Sequence, residues 1–159
     1  MSERIEEHRE ILASARAYLN SVLDQVGDRW EQQVYSDGLG WTVKQIVHHL
    51  ADADRGHNFQ LLGIANGQSP IPEDFDVERY NASVTKKTVE KSVEQSRAEL
   101  DENRANLNEW LDNLDEAQLD IEGRHASLKI MSISQILKLM AGHERLHAKD
   151  IADTLGITV

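Results

Sequence analysis

Apolar residues recur at steps of three and four along most of the chain, and the phase of that recurrence marks four helices. From Glu3 to Val26, the series Ile5, Leu12, Ala15, Leu19, Val22 and Val26 lies mostly on one helical face, and Gly27 ends it. A second stripe follows Trp41: Ile46, Val47, Leu50, Ala53 and Leu61. Thr42 suits the N-cap of this helix, because its hydroxyl can accept from an otherwise unpaired N–H. Gln45 three positions later completes a capping-box pattern, and the segment Gly63 to Gly67 closes the helix. A third helix is predicted over about Lys86 to Leu114 on Val89, Val93, Leu100, Leu107, Leu111 and Leu114. The fourth starts near Ser132 or Ser134 and runs to Leu155, with Gly156 placed to end it.

The segments between these stripes read as connections. Asn66 to Thr85 carries Pro70, Pro72 and a run of acids, and is long for a link within a bundle. A second connection, "DEAQLDIEGRHASLKIM", is expected to turn at Gly123. No segment alternates convincingly as a strand. The predicted fold class is therefore all-α, four amphipathic helices burying their stripes against one another in one domain over residues 1–159. Periodicity alone leaves the order of helix directions open. One internal echo stands out: "WTVKQIVHHLADAD" (41–54) aligns without gaps on "MSISQILKLMAGHE" (131–144), pairing Thr42 with Ser132, Gln45 with Gln135 and Asp54 with Glu144.

Composition narrows the chemistry. A formal net charge of −11 repels phosphate backbones, and no Lys/Arg cluster offsets it, so a nucleic-acid partner is not expected. Cysteine is absent, which removes disulfides, thiolate nucleophiles and Cys-based metal sites. No apolar run approaches bilayer length and the opening residues lack an apolar signal core, so no membrane partner is expected and a cytoplasmic location is.

The seven histidines carry the remaining chemistry: 8, 48, 49, 57, 125, 143 and 147. Four residues advance a helix by about 400°, so His143 and His147 stack on one face. That face also holds Ile136, Met140 and Ile151, and so turns inward. On the second helix His49 follows Gln45 and Ile46 by one turn and points the same way, whereas His48 is expected toward solvent or a flank. His57 is expected behind the site or at its rim, and His8 and His125 at the surface or in a loop. Three imidazoles from two helices leave a coordination place open for water or a thiolate, the arrangement of a catalytic metal. Zinc or nickel are the expected divalent metals, and iron, cobalt and manganese also accept imidazole.

"HERLH" formally matches His-Glu-x-x-His. A peptidase of that kind draws a further ligand from a later segment, and "AKDIADTLGITV" supplies neither a histidine nor room for another helix. Glu144 is instead expected to orient a ligand ring or to neutralise charge nearby, with Asp54 in a similar role.

The opening helix ending in "YLNSVLDQV", the block "GWTVKQIVHHLADAD" and the late block "SISQILKLMAGHERLHAKDI" resemble, in order and spacing, the DinB-like (DinB/YfiT-like) metalloenzyme superfamily. The resemblance covers nearly the whole chain. It implies a four-helix bundle of up-down-down-up topology, often a homodimer. It also implies a metal held by one histidine of the second helix and two, four apart, of the last. Carried over by motif, these are His49, His143 and His147, with His48 the rival of His49 through the "HH" pair. Relatives of this type include thiol S-transferases that use an external low-molecular-weight thiol. The expected function is a metal-dependent enzyme on a small-molecule substrate, a transferase of that kind or a hydrolase. The alternative is a non-catalytic metal-binding bundle for structure, ligand sensing or dimerisation.

Overall fold

The computed structural model describes residues 2–159. Four long helices form the bundle: α1 (Glu3–Leu23), α2 (Val43–Ala65), α4 (Val93–Asp112) and α5 (Ile133–Leu155), with a shorter α3 (Val77–Lys87) in the connection after α2. A 3-10 turn (Glu116–Asp120) and two antiparallel strands, β1 (Glu122–Arg124) and β2 (Ile130–Ser132), lead into α5. Among the described residues no helix is long and apolar enough to cross a membrane.

Three helices match their predicted starts and stops closely, for local reasons. Ser2 caps α1 by accepting from Ile5 N–H. Thr42–Gln45 and Ser132–Gln135 form full capping boxes on α2 and α5, so the internal echo is structural at its first turn. Gly156 ends α5 at φ 68°, ψ 32°, a left-handed conformation that favours glycine.

Two expectations need correction. The third helix does not run on from Lys86. Residues 77–87 form a separate helix inside the expected linker, and α4 restarts at its own capping box, Ser92–Gln95. α3 buries no residue, so its apolar stripe was too thin to read. Its polar signals were present: Asp76 accepts from Arg79 N–H at the first turn, and Lys86 and Lys87 sit at the negative end of the dipole. There is also a small sheet where none was predicted. Each strand has three residues, too few for alternation to show, and Gly123 lies within β1 rather than at the turn.

Hydrogen bonds between helices fix their directions. Along α1 and α5 the bonded pairs climb together: His8 with Ser134, Ser14 with Arg145, Arg16 with Glu144, so these helices are parallel. Along α2 and α4, His48 meets Ser96, and Ala51 and Asn58 meet Asn103, so these are parallel too. Between α1 and α4 the pairs run in opposition, Arg9 to Asn108 and Arg97 to Asn20. The order is up-down-down-up, and α2 and α4 are parallel neighbours only because the long connection with α3 carries the chain back along the bundle.

Two apolar clusters fill the interior. One gathers Leu12, Leu61, Leu107, Leu119, Ile136 and Leu137 and takes in the start of α5. The other gathers Leu19, Val22, Ile46, Val47, Leu100 and Ile151. The sheet is pressed onto the end of α2. A Cβ built on Gly123 would sit 2.5 Å from Ile64 Cγ1 and 2.9 Å from its Cδ1, and Ile64 is fully buried. Gly123→Ala is expected to destabilise the protein by about 1–3 kcal/mol, the usual range for overpacking, read from the chemical-denaturation midpoint.

Candidate metal centre

α2 and α5 run antiparallel, and this places His49 opposite His143 and His147. The Nε2 atoms of His49 and His143 are 3.1 Å apart, as are those of His147 and His143. One ligand nitrogen from each ring lies within 4.8 Å of the other two. The rings stand nearly perpendicular, at 80–84°. Three nitrogens around a tetrahedral zinc at about 2.0–2.1 Å would lie roughly 3.3 Å apart, so the trio is already close to that geometry. It is a histidine cluster able to bind a divalent metal.

The tautomer of His147 is set by a neighbour absent from the sequence-based expectations. Tyr35 Oη donates to Asp150 Oδ2 at 2.6 Å and lies 2.7 Å from His147 Nδ1. With the phenol proton committed to Asp150, Nδ1–H of His147 donates to the phenol oxygen. Nε2 is then left as the lone-pair nitrogen, facing the other two rings. Burial and the bond to Asp150 raise the Tyr35 pKa well above its ordinary value, so the phenol keeps its proton. Trp41 stacks on His49 at 4.4 Å between centroids, and its Nε1–H donates to Thr85 on α3. The loop before α2 supplies both aromatics, and a Gln33–Thr42 bridge holds it against the helix start. Neither Tyr35 nor Trp41 lies on a periodic stripe with the three histidines, so no sequence signal joined them to the site.

Burial is the main reason these imidazoles stay neutral. It pulls His49 down to about 3, with His147 adding to the effect, and His143 down to about 2, with His147 and His49 adding. His147 is lowered for the same reason, against the pull of Asp150.

Of the other histidines, His48 and His8 differ from expectation, while His57 lines the cavity over the trio and His125 lies in the loop between β1 and β2. His48 is not turned to solvent. It is buried between α2 and α4, its Nδ1 2.6 Å from Ser96 Oγ, and takes no part in the trio. The helical-wheel argument allowed α2 one inward face, whereas α2 packs on both α4 and α5. His8 is buried too, beside Ser134. His57 and His125 form a stacked pair with Nε2 atoms 2.8 Å apart. The Ser127 N–H donates to His125 Nδ1, so His125 Nε2–H donates to His57 Nε2, and the remaining His57 N–H is bonded to the backbone of Ala53. Together with the bond from Ala126 N–H to Gln60 Oε1, this pins the tip between β1 and β2 onto α2.

That pair predicts an acid dependence. Burial, with His125 adding, holds His57 down to about 4 against an ordinary value of 6.5. A histidine kept neutral by folding contributes stability that is complete above about pH 6.5 and is lost as the pH falls toward 4, where both states are protonated. The loss from His57 alone is expected on the order of 3 kcal/mol. His8, His48 and His125 are lowered in the same direction by burial. Urea midpoints of metal-free protein, measured between pH 8 and pH 4, should fall through that window, and a flat profile would contradict a neutral buried pair.

Glu144 and Asp54 do not orient ligand rings. They point into the bundle and meet Arg16, which donates through Nε to Glu144 Oε1 at 2.9 Å and through Nη2 to Asp54 Oδ2 at 3.1 Å. Arg104 completes the cluster, 3.8 Å from Asp54 and 3.7 Å from Glu144. Burial pushes the Glu144 carboxyl up, against the pull of the two arginines. The glutamate of "HERLH" therefore faces away from the imidazoles and serves the interior. Arg145 also turns outward, to Ser14 and the face of Tyr18.

A cavity of about 610 Å³ opens over the trio, bounded by α2, the connection with α3, the tip of the small sheet and Leu139 of α5. Asp52 is the one carboxylate and Arg55 the one guanidinium among its described lining residues, and they are paired at 2.7 Å.

A family model for the DinB superfamily matches residues 11–151. The chain belongs to the DinB superfamily. The "Putative metal-dependent hydrolase YfiT" of Bacillus subtilis (strain 168) is 26% identical over 145 residues, 91% of this chain and 80% of that protein. The solved structure of YfiT from Bacillus subtilis, described as "a probable metal-dependent hydrolase with an unusual four-helix bundle topology", superposes with a TM-score of 0.77 at 20% identity, covering 99% of this chain and 91% of that one. The up-down-down-up order derived above thus goes with membership of the DinB superfamily.

Proposed function

We propose that the protein is a metal-dependent enzyme acting on a small molecule, with hydrolysis as its reaction type. The observation that carries this is the meeting of three imidazole nitrogens on one wall of a 610 Å³ cavity. His49, His143 and His147 would hold the metal, zinc or nickel by ligand type. When bound there, a divalent metal with three imidazole ligands supplies Lewis acidity and an acidified water. The chain's own residues do the rest. Tyr35 and Asp150 hold His147 in its coordinating tautomer. Trp41 braces His49 and excludes water from that side. Asp52, one turn beyond His49 and paired with Arg55, is the one carboxylate among the described residues of the cavity wall and would take up the proton that hydrolysis releases. The relative named as a metal-dependent hydrolase supports the same class. A thiolate would also suit the open place, but no feature of the cavity favours it over water: the single guanidinium on the wall is already held by Asp52.

The test is a panel of small esters and amides offered to protein of measured metal content. Hydrolysis should scale with bound metal, vanish in His143→Ala and fall at least about a hundredfold in Asp52→Asn, the low end for loss of a proton acceptor. Turnover that survives both chelation and His143→Ala would refute the assignment.

A further inference from the structure

The walls of the cavity say what kind of molecule it accepts. Its lining is mainly apolar, with Trp41, Phe59, Ile71, Phe75, Tyr80 and Leu139 among the residues that form it. Phe59 is 62% exposed and Tyr80 37%, aromatic area left open to solvent beside the imidazoles. Polar groups are few and mostly spent. Arg55 Nη2 is held by Asp52 at 2.7 Å and lies 3.3 Å from Tyr80 Oη. His57 and His125 use their nitrogens on each other and on the backbone, and burial keeps both neutral. Gln60 gives its carbonyl to Ala126 N–H. The connection that supplies Pro72, Phe75 and Val77 to the wall also carries Glu73, Asp74, Asp76 and Glu78 between and beside them. A ligand with several negative charges would have to approach past these exposed acids, none of which lines the cavity itself, and would find no free cation among the described lining residues.

We propose that this cavity takes a small molecule with an apolar, ring-bearing body and a single metal-coordinating head, carrying at most one negative charge. The proposal rests on the metal-centre reading for the head and on the cavity walls alone for the body. The volume of about 610 Å³ lies inside the range that encloses drug-sized ligands, and an apolar lining with a few fixed polar groups is the usual character of such sites. The head sits at the imidazole trio, and the ring lies against Phe75, Leu139 and the face of Trp41. A highly carboxylated substrate or thiol is disfavoured by the same walls.

Three hydroxamic acids separate these terms, because they share one monoanionic metal-binding head: acetohydroxamate, benzohydroxamate and a dicarboxylated benzohydroxamate. They are titrated into cobalt-loaded protein and followed by the visible cobalt bands. Benzohydroxamate should bind about 10- to 100-fold more tightly than acetohydroxamate, the yield of burying a phenyl ring. The dicarboxylated form should lose that gain. In Phe75→Ala, at a half-buried position, the benzo-to-aceto ratio should drop toward unity. Equal affinities for the first two acids, or tightest binding of the dicarboxylate, would overturn the proposal. Should elemental analysis find no bound metal, the metal-centre reading falls and a second arm decides this one. 4-Phenylbutanol is then titrated into metal-free protein by NMR. Shifts at Phe75 and Leu139 would support the apolar site, and their absence would refute it.

Discussion

Arg16→Met is expected to destabilise the protein by about 3–5 kcal/mol, more than any other single change at an interior charge. The arginine is 8% exposed and bonds Glu144, Asp54 and the carbonyl of Leu100, tying α1 to α5, α2 and α4 at once. With it present, two guanidiniums face two carboxylates and the interior is electrically balanced. Without it, Arg104 alone must serve both acids from 3.7–3.8 Å. Methionine replaces the volume, so the loss reads the uncompensated charge and not a cavity. The deficit should narrow as the pH falls toward 4, because Glu144, already pushed up by burial and then short of a cation, takes up a proton more readily in the folded state than in the unfolded one. Replacing the whole quartet by apolar residues of similar size should cost far less than the single change. Chemical denaturation of the wild type, Arg16→Met and the quadruple variant at pH 7 and pH 5 checks all three statements. An Arg16→Met loss below about 1 kcal/mol at pH 7, the scale of a surface pair, would mean that water reaches the cluster.

Removing one imidazole should abolish tight metal uptake while leaving a helical protein. His143 is the sharpest case, since its Nε2 lies 3.1 Å from both partners. Prepared identically and without a histidine tag, His49→Ala, His143→Ala and His147→Ala should each fall from near one metal per chain to below about a tenth, a three-ligand site reduced to two. Tyr35→Phe keeps all three ligands but removes the acceptor for His147 Nδ1–H, and affinity should drop about 10- to 100-fold, the usual loss when a ligand's outer partner goes. His48→Ala should retain the metal and lose stability instead, because its contact is with Ser96. Elemental analysis with competitive chelator titration provides the readout. Full retention in His143→Ala would dismiss the trio as ligands, and loss in His48→Ala with retention in His49→Ala would move the first ligand by one residue.

The sequence was most informative where a local rule and a tertiary role coincide. The capping boxes at Thr42 and Ser132 are local hydrogen bonds, and they set the phase that turns His49, His143 and His147 inward. The echo between 41–54 and 131–144 was legible as well, and it carries more than helix starts: Asp54 and Glu144, its last matched pair, meet on the same arginine. Arg16 had a signal, since it stands four residues after Leu12 and three before Leu19, on the buried face of α1, where an unpaired charge is costly. What stayed hidden depends on how many faces a helix buries. His48 lies on the second buried face of α2, which no single-stripe argument anticipates. Tyr35 and Trp41 reach the site from a loop, and α3 packs so lightly that its stripe carries almost no burial.

The parallel pairing of α1 with α5 has a consequence for the order in which the molecule assembles. Arg16 and its partner Glu144 are 128 positions apart in the chain. On a ribosome, α1 emerges with its apolar stripe and its buried arginine long before the helix that will cover them exists. At about 5–20 residues per second that interval lasts several seconds at least. The first helix must therefore remain exposed, associate transiently with α2 or be shielded by a chaperone until α5 arrives. His143 and His147 arrive with α5 as well, so the site can be loaded with metal only after the last long helix has been made.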